Sequence, residues 1–523
     1  MENYPSIFND VIGPVMRGPS SSHCAAALRI GRFCRELMEG DISDIFIVFD
    51  PEGSLATTHK SQGSDMGLYG GFLGWEADDE RLPSSEQFIE KAGIHISITI
   101  ADIGDTHPNT YQVTLQNSRE THQLTAISTG GGMITVLDID GAAVTMAGDF
   151  HETLIYCASP ASLLSVIESK VPFDSIVVHA GRLSFIEIKS QERLPDDICR
   201  QLGAIGGVTA VKRIAPVLPI LSRKNLQVPF ITCEGMLEYN QGKALALWEL
   251  AVAYESARGN IAPETVFEMM RRIVRIMETS IHSGLKGTQY TDRLLGSQSV
   301  QFKAELESQR LVDGAVLNTI IMYVSAMMEV KSSMGVIVAA PTAGSCGALP
   351  GAVLGTAAAL GLSEEEKVKA MLAAAMIGVF IAAHATFAAE VGGCQAECGS
   401  GAGMAAAAIV WLAKGSLQQS LSAASVAVQN SLGMICDPIA NRVEAPCLGK
   451  NVLAATNALS CANMALANYD HLIPLDEVIE TMKQVGDSIP HTLRCTTLGG
   501  LSITKTAKAL EEKLNTGAGF KSC

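Results

Sequence analysis

From about residue 228 to its end, the sequence keeps one pattern, and no other feature restricts the fold as strongly. This half is rich in Ala, Met and Leu, and Gly- and Pro-containing breaks interrupt it at 341–351, 392–403 and 436–450. The pattern is almost wholly helical. Helices joined by loops that converge on one place are the natural architecture for such a segment. We therefore predict an all-α domain over residues 228–523, within an α+β protein.

The first part of the chain, residues 1–147, mixes helix and strand signals and is predicted to be an α/β domain. A helix is expected after "GPSSSH", because serine is a strong N-cap residue and an apolar run follows. Strands are predicted where β-branched and aromatic residues cluster. These runs are "DIFIVFD" near 44–50, "HISITIAD" at 95–102 and "TYQVTLQ" at 110–116.

Residues 148–218 change character and predict the order β-α-β-β-α-β, a split βαβ sandwich. This segment resembles a small ACT-like regulatory domain, although the Asp-x-Pro-Gly opening usual in such domains is missing. The proline-punctuated stretch "PVLPILSRKNLQVPF" then predicts a linker to the helical domain.

Composition limits the classes of partner. The 523 residues include 54 acidic and 38 basic side chains, for a net charge of −16, which disfavours nucleic acid and anionic membranes. Apolar residues make up 47% and charged residues 18%, as expected for a large core with buried interfaces in a homodimer or higher homo-oligomer. The N-terminus "MENYPSIFND" has no secretory pattern, so a cytoplasmic location is expected.

One uncharged stretch, Ala370–Ala389, is long enough to cross a bilayer. It is Ala-rich, contains His384 and lacks an aromatic belt or a basic flank. We interpret it as the central helix of a large bundle and predict no membrane partner.

The 13 cysteines of a cytoplasmic protein are not expected to form disulfides. Cys394 and Cys398 lie in the Gly-rich "GGCQAECGSGAG", and Cys436 and Cys447 bracket "CDPIANRVEAPC". Soft thiolates select iron–sulfur clusters, zinc or copper(I), and zinc sites usually show two close pairs. Spacing alone leaves these metals, and a purely structural role, open. Nearby, "APTAGSCGALPG" opens a helix and could present backbone N–H groups to an anion, or serve only as a packing loop.

Six motifs in sequence order carry a resemblance over nearly the whole chain. They are "GPSSSH", "GSLATTHKSQGSD", "HPNT", "AAPTAGSCG", "GGCQAE" and "CDPIANRVEAPC". This set resembles the iron–sulfur-dependent L-serine dehydratases, with their β and α parts fused in one polypeptide.

The resemblance implies a [4Fe-4S] cluster held by Cys394, Cys436 and Cys447, with Cys398 as the odd one out. Three protein ligands leave one iron open, which suits a Lewis acid better than an electron carrier. The implied reaction is β-elimination from a small amino acid: a base takes the Cα proton, the β-hydroxyl leaves, and L-serine becomes pyruvate and ammonia.

The resemblance also implies roles for residues of the matching motifs. Candidates for catalysis are His59, His23, Lys60, His107 and Asn109. Candidates for substrate binding are Ser20, Ser21, Ser22, Gln62, Ser64, Asp65, Thr342, Ala343, Gly344, Ser345 and Arg442.

Two motifs depart from the family pattern. Gln62 stands where the family has a histidine that is a favoured base, and His59, three residues earlier, or His23 could supply the imidazole instead. Arg442, together with Asn441 before it, replaces the small and apolar pair common in the family. It could read a second carboxylate of a larger substrate, or form an ion pair.

These departures keep alternatives open. The same chemistry could act on L-threonine or L-cysteine, the protein could be a cluster-bearing sensor without catalysis, and zinc could replace the cluster. The terminal Cys523, in the tail "NTGAGFKSC", is predicted to occupy the fourth iron until substrate displaces it, or to be an unliganded end.

Overall fold

The computed structural model describes residues 4–105, 107–290 and 292–515. The chain is a mixed α/β protein and divides into two compact units, which are described separately. Residues 20–226 form one of them, here called the sheet unit. The helical unit combines the N-terminal 19 residues with residues 227–523. Cys523 lies outside the described residues.

The N-terminal segment belongs to the helical unit, although its sequence was assigned to the first domain. It forms a π-helical turn, Ile7–Val11, and a short strand β1 (Val15–Arg17). The Ser6 hydroxyl and the Ile7 backbone N–H donate to the buried Glu255 carboxylate, at 2.5 and 2.9 Å. These partners lie about 250 residues away in sequence, so no local pattern could have revealed them.

The sheet unit contains six α-helices and ten strands among its described residues. The helices are α1 (Ala26–Leu37), α2 (Leu55–Thr58), α3 (Ser64–Phe72), α4 (Ser85–Lys91), α5 (Pro160–Glu168) and α6 (Asp196–Gly203). The strands are β2 (Asp44–Phe49), β3 (His95–Ile100), β4 (Thr110–Gln116), β5 (Thr121–Gly130), β6 (Met133–Ile139), β7 (Ala142–Met146), β8 (His151–Cys157), β9 (Ser175–His179), β10 (Phe185–Ser190) and β11 (Val208–Ile214).

These strands form two sheets. Six of them take the order β3-β2-β4-β5-β6-β7, in which β2 and β3 pair in parallel and the other neighbours pair antiparallel. The other four form an antiparallel sheet, β11-β8-β10-β9. The predicted β-α-β-β-α-β order is confirmed as β8-α5-β9-β10-α6-β11. Its ACT-like character stays a prediction.

The second half of strand β8, residues 154–157, is apolar and is buried on both faces. Leu154 and Tyr156 join the core of the six-stranded sheet, whereas Ile155 and Cys157 join a second core under α5 and α6. Because successive side chains of a strand point to opposite faces, a strand covered on both sides reads as a continuous apolar run. The segment predicted as a separate small domain thus shares a core with the sheet before it.

The described part of the helical unit contains thirteen α-helices and, besides β1, one strand. The helices are α7 (Cys233–Tyr239), α8 (Leu247–Gly259), α9 (Pro263–Gly284), α10 (Ser299–Glu307), α11 (Ala315–Lys331), α12 (Ala348–Ala359), α13 (Glu364–His384), α14 (Ala389–Gly392), α15 (Ser400–Leu412), α16 (Leu417–Gln429), α17 (Cys447–Leu466), α18 (Leu475–Ser488) and α19 (Lys505–Asn515). The strand β12 (Val336–Val338) pairs antiparallel with β1. The all-α prediction for residues 228–523 is therefore wrong at β12, because this three-residue strand depends on a distant N-terminal partner.

Helix α13 contains residues 370–384 of the stretch that could pass for a membrane span; the predicted stretch runs on to Ala389, which already belongs to α14. By length and composition α13 is the one described helix able to cross a bilayer, and 72% of its apolar window is buried inside the protein. It packs mainly against α15 and α8. The Ser363 side chain caps its start by accepting the Glu366 N–H. This burial agrees with the predicted central helix of a bundle.

Candidate functional site

Two of the predicted loops bring thiols together in the helical unit. Cys394 precedes a π-helical turn, Gln395–Gly399, and Cys436 lies in the loop after α16. The Sγ atoms of Cys394 and Cys436 and a carboxylate oxygen of Glu397 all lie within 4.8 Å of one another. Both thiols are buried, so a soft metal centre could bind here away from solvent.

Cys447, the third predicted ligand, is the first residue of α17 and is buried as well. Burial and then the charge of Cys394 raise the pKa of the Cys447 thiol above its usual range. Cys447 lies outside the group of donor atoms that are within 4.8 Å of one another, so its role as the third ligand stays a prediction. Three buried thiols from three segments fit a site for an iron–sulfur cluster, since such clusters are held by cysteine thiolates.

Gln395 fixes the position of the Cys394 turn. Its side chain is fully buried, accepts the Gly433 N–H at 2.8 Å and donates to the Met482 carbonyl at 2.8 Å. Its backbone N–H donates to the Met434 carbonyl at 3.0 Å. The Cys394 turn is thus bound directly to the loop that carries Cys436.

Lys450 supplies positive charge beside these thiols. Its Nζ donates to Asp437 Oδ1 and to the Ile435 carbonyl, both at 2.6 Å, and lies 3.9 Å from Cys394 Sγ. Burial alone would lower the pKa of Lys450, but Cys394 and Asp437 raise it above its usual range. Sequence analysis missed this residue. The sequence offers one indication of its role: Lys450 follows Cys447 by three residues, which places the two side chains on the same side of a helix.

The loop containing Thr342, Ala343, Gly344 and Ser345 lies against the same site. Thr342 Oγ1 donates to Glu397 Oε1 at 2.6 Å, and a Cβ added to Gly344 would come within 2.8 Å of that carboxylate oxygen. Burial, and then the charge of Glu390, raise the pKa of Glu397 to about 7. The predicted binding loop is therefore in contact with the acid of the thiol site.

Asn451 organises this loop and was not foreseen. Its Oδ1 accepts the N–H groups of Gly347 and Ala348, at 3.2 and 2.9 Å. Its Nδ2 donates to the carbonyls of Gly344 and Cys447, both at 2.9 Å. Two N–H groups expected to face an anion at the start of α12 are therefore bonded to a side chain.

Arg442 is engaged by an acidic partner. Its guanidinium donates to Asp292 Oδ1 at 2.6 Å, and the Arg442 side chain is 19% exposed. Of the two interpretations drawn from the sequence, the structure shows the ion pair.

In the sheet unit, a second group of polar side chains is centred on His23. Ser20 Oγ lies 2.9 Å from His23 Nδ1, and Thr58 Oγ1 lies 3.0 Å from His23 Nε2. Thr58 donates its own proton to the Ser54 carbonyl, so it must accept a proton from Nε2. With the proton on Nε2, His23 Nδ1 accepts the hydrogen bond from the Ser20 hydroxyl. Burial lowers the pKa of His23 to about 4, so the ring is neutral at physiological pH.

Glycines on α3 bring the His23 turn close to this helix. A Cβ at Gly67 would lie 2.3 Å from the Cys24 carbonyl oxygen, and one at Gly71 would lie 2.3 Å from that of Leu28. Such distances require glycine, because no larger residue lets the two backbones approach so closely. The first turn of α3, which carries Ser64 and Asp65, is thereby held next to the residue after His23.

His59 and Asp65 form a histidine–carboxylate pair. His59 Nδ1 lies 2.7 Å from Asp65 Oδ1, and the two side chains are 17% and 11% exposed. Burial raises the pKa of Asp65, and the hydrogen bond with His59 opposes this. A carboxylate on Nδ1 fixes the tautomer in which Nε2 can accept a proton.

The other predicted residues of this unit are distributed around the pair. Lys60 is exposed, Gln62 is half-buried, and Ser64 Oγ lies 3.3 Å from the Tyr111 hydroxyl. Among the predicted serines, Ser21 is buried and Ser22 half-buried.

The "HPNT" segment contacts the loop before α2. The Asn109 backbone N–H donates to His107 Nδ1 at 3.2 Å, and the Asn109 side chain bonds to the Ser54 hydroxyl. The Ser54 carbonyl in turn accepts a hydrogen bond from the Thr58 hydroxyl, which contacts His23. Asn109 is therefore linked to His23 through Ser54 and Thr58.

The neutral state of His23 predicts a pH dependence of stability. The folded pKa of about 4 is below the ordinary histidine pKa of 6.5, so the unfolded chain binds more protons as pH falls. Stability should therefore fall from pH 6.5 towards pH 4, by about 2 kcal/mol between pH 8 and pH 5. Urea unfolding at both pH values should show this loss in the wild type and a smaller one in His23→Gln. Equal losses in the two proteins would contradict it.

Comparisons with known proteins identify the family of the chain. A family model described as the serine dehydratase alpha chain matches residues 242–502. A probable L-serine dehydratase alpha chain of Bacillus subtilis (strain 168) is 36% identical over 289 residues, which are 55% of this chain and 96% of that protein. The probable beta chain from the same organism is 33% identical over 220 residues, or 40% of this chain and 99% of that protein.

A single-chain relative extends the match to nearly the full length. The L-serine dehydratase of Helicobacter pylori (strain ATCC 700392 / 26695) is 26% identical over 497 residues, which are 93% of this chain and 96% of that protein. These matches make the chain an enzyme of the lyase class. It belongs to the L-serine dehydratase family.

Proposed function

We propose that this protein is an L-serine ammonia-lyase that forms pyruvate and ammonia with the help of a [4Fe-4S] cluster. One observation supports this most: in a chain of this family, Cys394 and Cys436 meet in a buried site with Glu397. Cys394, Cys436 and Cys447 would hold the cluster. When bound, it would supply a Lewis-acidic iron that helps hydroxide to leave.

Side chains of the protein itself would offset the negative charge of the thiolates and carry protons at the thiol site. Lys450 reduces the electrostatic repulsion among thiolates held close together, since its positive charge beside Cys394 favours the ionised form of the thiol. Thr342 holds Glu397 in place, and with its raised pKa Glu397 can carry or release a proton near neutral pH. The loop Thr342–Ser345 is the proposed contact for the substrate carboxylate.

In the sheet unit, His59 is the better candidate for the general base. Both ring nitrogens of His23 are engaged, by Ser20 and Thr58. In His59, Asp65 binds Nδ1, which leaves Nε2 as the proton acceptor. This assignment gives a role to the histidine three residues before Gln62. We keep His23, Lys60, His107 and Asn109 as proposed residues that orient the substrate or the base.

The hypothesis of a larger substrate depended on a free Arg442 guanidinium. Asp292 already pairs with that guanidinium, so the hypothesis is weakened. We propose L-serine first, with L-threonine and L-cysteine as the alternatives to be tested. The cytoplasmic location, the homo-oligomer and the three-domain division at 1–147, 148–218 and 228–523 with an ACT-like middle part are also proposed.

The test is anaerobic purification with iron and sulfide analysis, followed by assays of 2-oxo acid and ammonia release from each amino acid. We expect equal amounts of pyruvate and ammonia from L-serine, and a visible absorption spectrum typical of a cluster. His59→Gln should be strongly impaired, and His95→Gln, at an exposed strand position, should match the wild type. Iron without any 2-oxo acid release would favour a non-catalytic sensor, and zinc without iron would contradict the cluster.

A further inference from the structure

A fourth thiol lies at this site and has no assigned role. Cys495 packs with Cys394, Cys436 and Met434 in one small apolar cluster. The Cys436 thiol lies within 4.8 Å of that of Cys394, and Cys495 packs against the same two residues. Cys495 is half-buried, whereas the other three thiols are buried, so it lies on the more open side of the group.

Backbone pairing places Cys495 beside Cys436. The Cys495 N–H donates to the Cys436 carbonyl at 2.9 Å, and the Cys436 N–H donates to the Leu493 carbonyl at 2.8 Å. A parallel bridge joins Cys436 and Arg494. Two cysteines in adjacent paired segments are thereby presented together, as ligands of one metal centre would need to be.

Further hydrogen bonds anchor the segment around Cys495. On one side, the Arg494 guanidinium donates to the carbonyls of Ile489 and Asp487, at 2.6 and 2.5 Å. On the other, the Leu501 N–H donates to Asp437 Oδ2 at 2.9 Å, next to Cys436 in sequence. Cys495 itself has φ of +60°, a left-handed conformation that is uncommon outside glycine and that functional sites often retain.

We propose that Cys495 is a fourth thiolate ligand of the cluster, on the iron that Cys394, Cys436 and Cys447 leave open, in the substrate-free protein. The inference rests on the proposed [4Fe-4S] cluster. The sequence suggested Cys523 as the ligand of the open iron. The proposal gives this role to Cys495 instead. Lys450 lies next to Cys394 and would offset the charge of the additional thiolate.

The first test measures alkylation of each cysteine by iodoacetamide, using mass spectrometry under anaerobic conditions. We compare the full-length protein before and after reconstitution with iron and sulfide. Cys495 should react at least about fivefold more slowly in the loaded protein, because a metal-bound thiolate is shielded. Cys199, half-buried in the sheet unit, is the control and should react equally in both states. Equal reaction of Cys495 in both states would overturn the proposal.

The second test replaces the ligand. Loaded wild type, Cys495→Ser, Cys495→Ala and Cys523→Ser are oxidised with ferricyanide, and retained iron and the electron paramagnetic resonance spectrum are recorded. The Cys495 variants should lose about one iron per cluster and show a three-iron signal that the wild type lacks, because that iron has no thiolate. Iron loss in Cys523→Ser alone would overturn the proposal. Wild type that binds no iron would instead refute the cluster itself.

Discussion

Replacing Cys436 with serine is expected to abolish cluster binding and to lower kcat/KM for L-serine by at least about 100-fold. The reason is its central position: the Cys436 thiol lies within 4.8 Å of the Cys394 thiol and of a Glu397 oxygen, and Cys495 packs against it. Serine keeps the size but offers a hard oxygen that binds iron poorly. Iron and sulfide per chain, measured anaerobically with pyruvate release, check this result. Cys394→Ser and Cys447→Ser should behave alike.

Cys398→Ser is the matched control for these variants. Cys398 lies four residues after Cys394 and is equally buried, but its Sγ accepts a hydrogen bond from Asn451 Nδ2 at 3.8 Å. A serine hydroxyl can accept the same bond, so iron content and activity should stay near wild type. If Cys398→Ser loses the iron and Cys447→Ser keeps it, the proposed ligand set is wrong.

Much of the fold could be predicted because local patterns determine it. The strand at Thr110–Gln116 and the βαββαβ order of the middle segment follow from alternating apolar residues and turn residues. A helix within residues 370–389 follows from the length of the uncharged apolar run, although the observed helix, Glu364–His384, begins six residues earlier and ends five residues earlier. Such signals lie within single elements, so they can be read without knowledge of the partner.

What could not be predicted depends on distant contacts. Strand β12 exists because β1 pairs with it, more than 300 residues earlier in the sequence. Residues 4–19 join the helical unit through Glu255 for the same reason. A strand of three residues is too short to show a period-two pattern that could be told apart from the surrounding helical sequence, and both β1 and β12 are of this length.

The candidate site shows the same division. The cysteines of the thiol site could be named from their motifs, since their chemistry is specific. The residues that position them, Gln395, Lys450 and Asn451, could not, because glutamine, lysine and asparagine are common on helices. Cys495 belongs to none of the six motifs, and only its backbone pairing with Cys436 places it beside the candidate metal ligands.

Asn451→Leu is expected to destabilise the helical unit by about 4 kcal/mol. Asn451 is fully buried, and its side chain satisfies the N–H groups of Gly347 and Ala348 and the Gly344 carbonyl. Leucine is similar in size and bonds to none of them, and each buried polar group left unpaired costs about 1–3 kcal/mol. The loss is a large share of a typical unfolding free energy of about 5–15 kcal/mol.

The measurement is urea unfolding of protein prepared without iron, so that loss of a cluster does not enter the comparison. Asn463→Leu is the control, because Asn463 is an exposed residue of the same helix, α17, and its change should lie within about 0.5 kcal/mol of wild type. Asn451→Asp separates the two halves of the network. It keeps the acceptor for Gly347 and Ala348 but cannot donate to the carbonyls of Gly344 and Cys447, and it buries a charge, so it should also be destabilised. An Asn451→Leu protein as stable as the Asn463→Leu control would show that the loop before α12 holds its shape without this side chain.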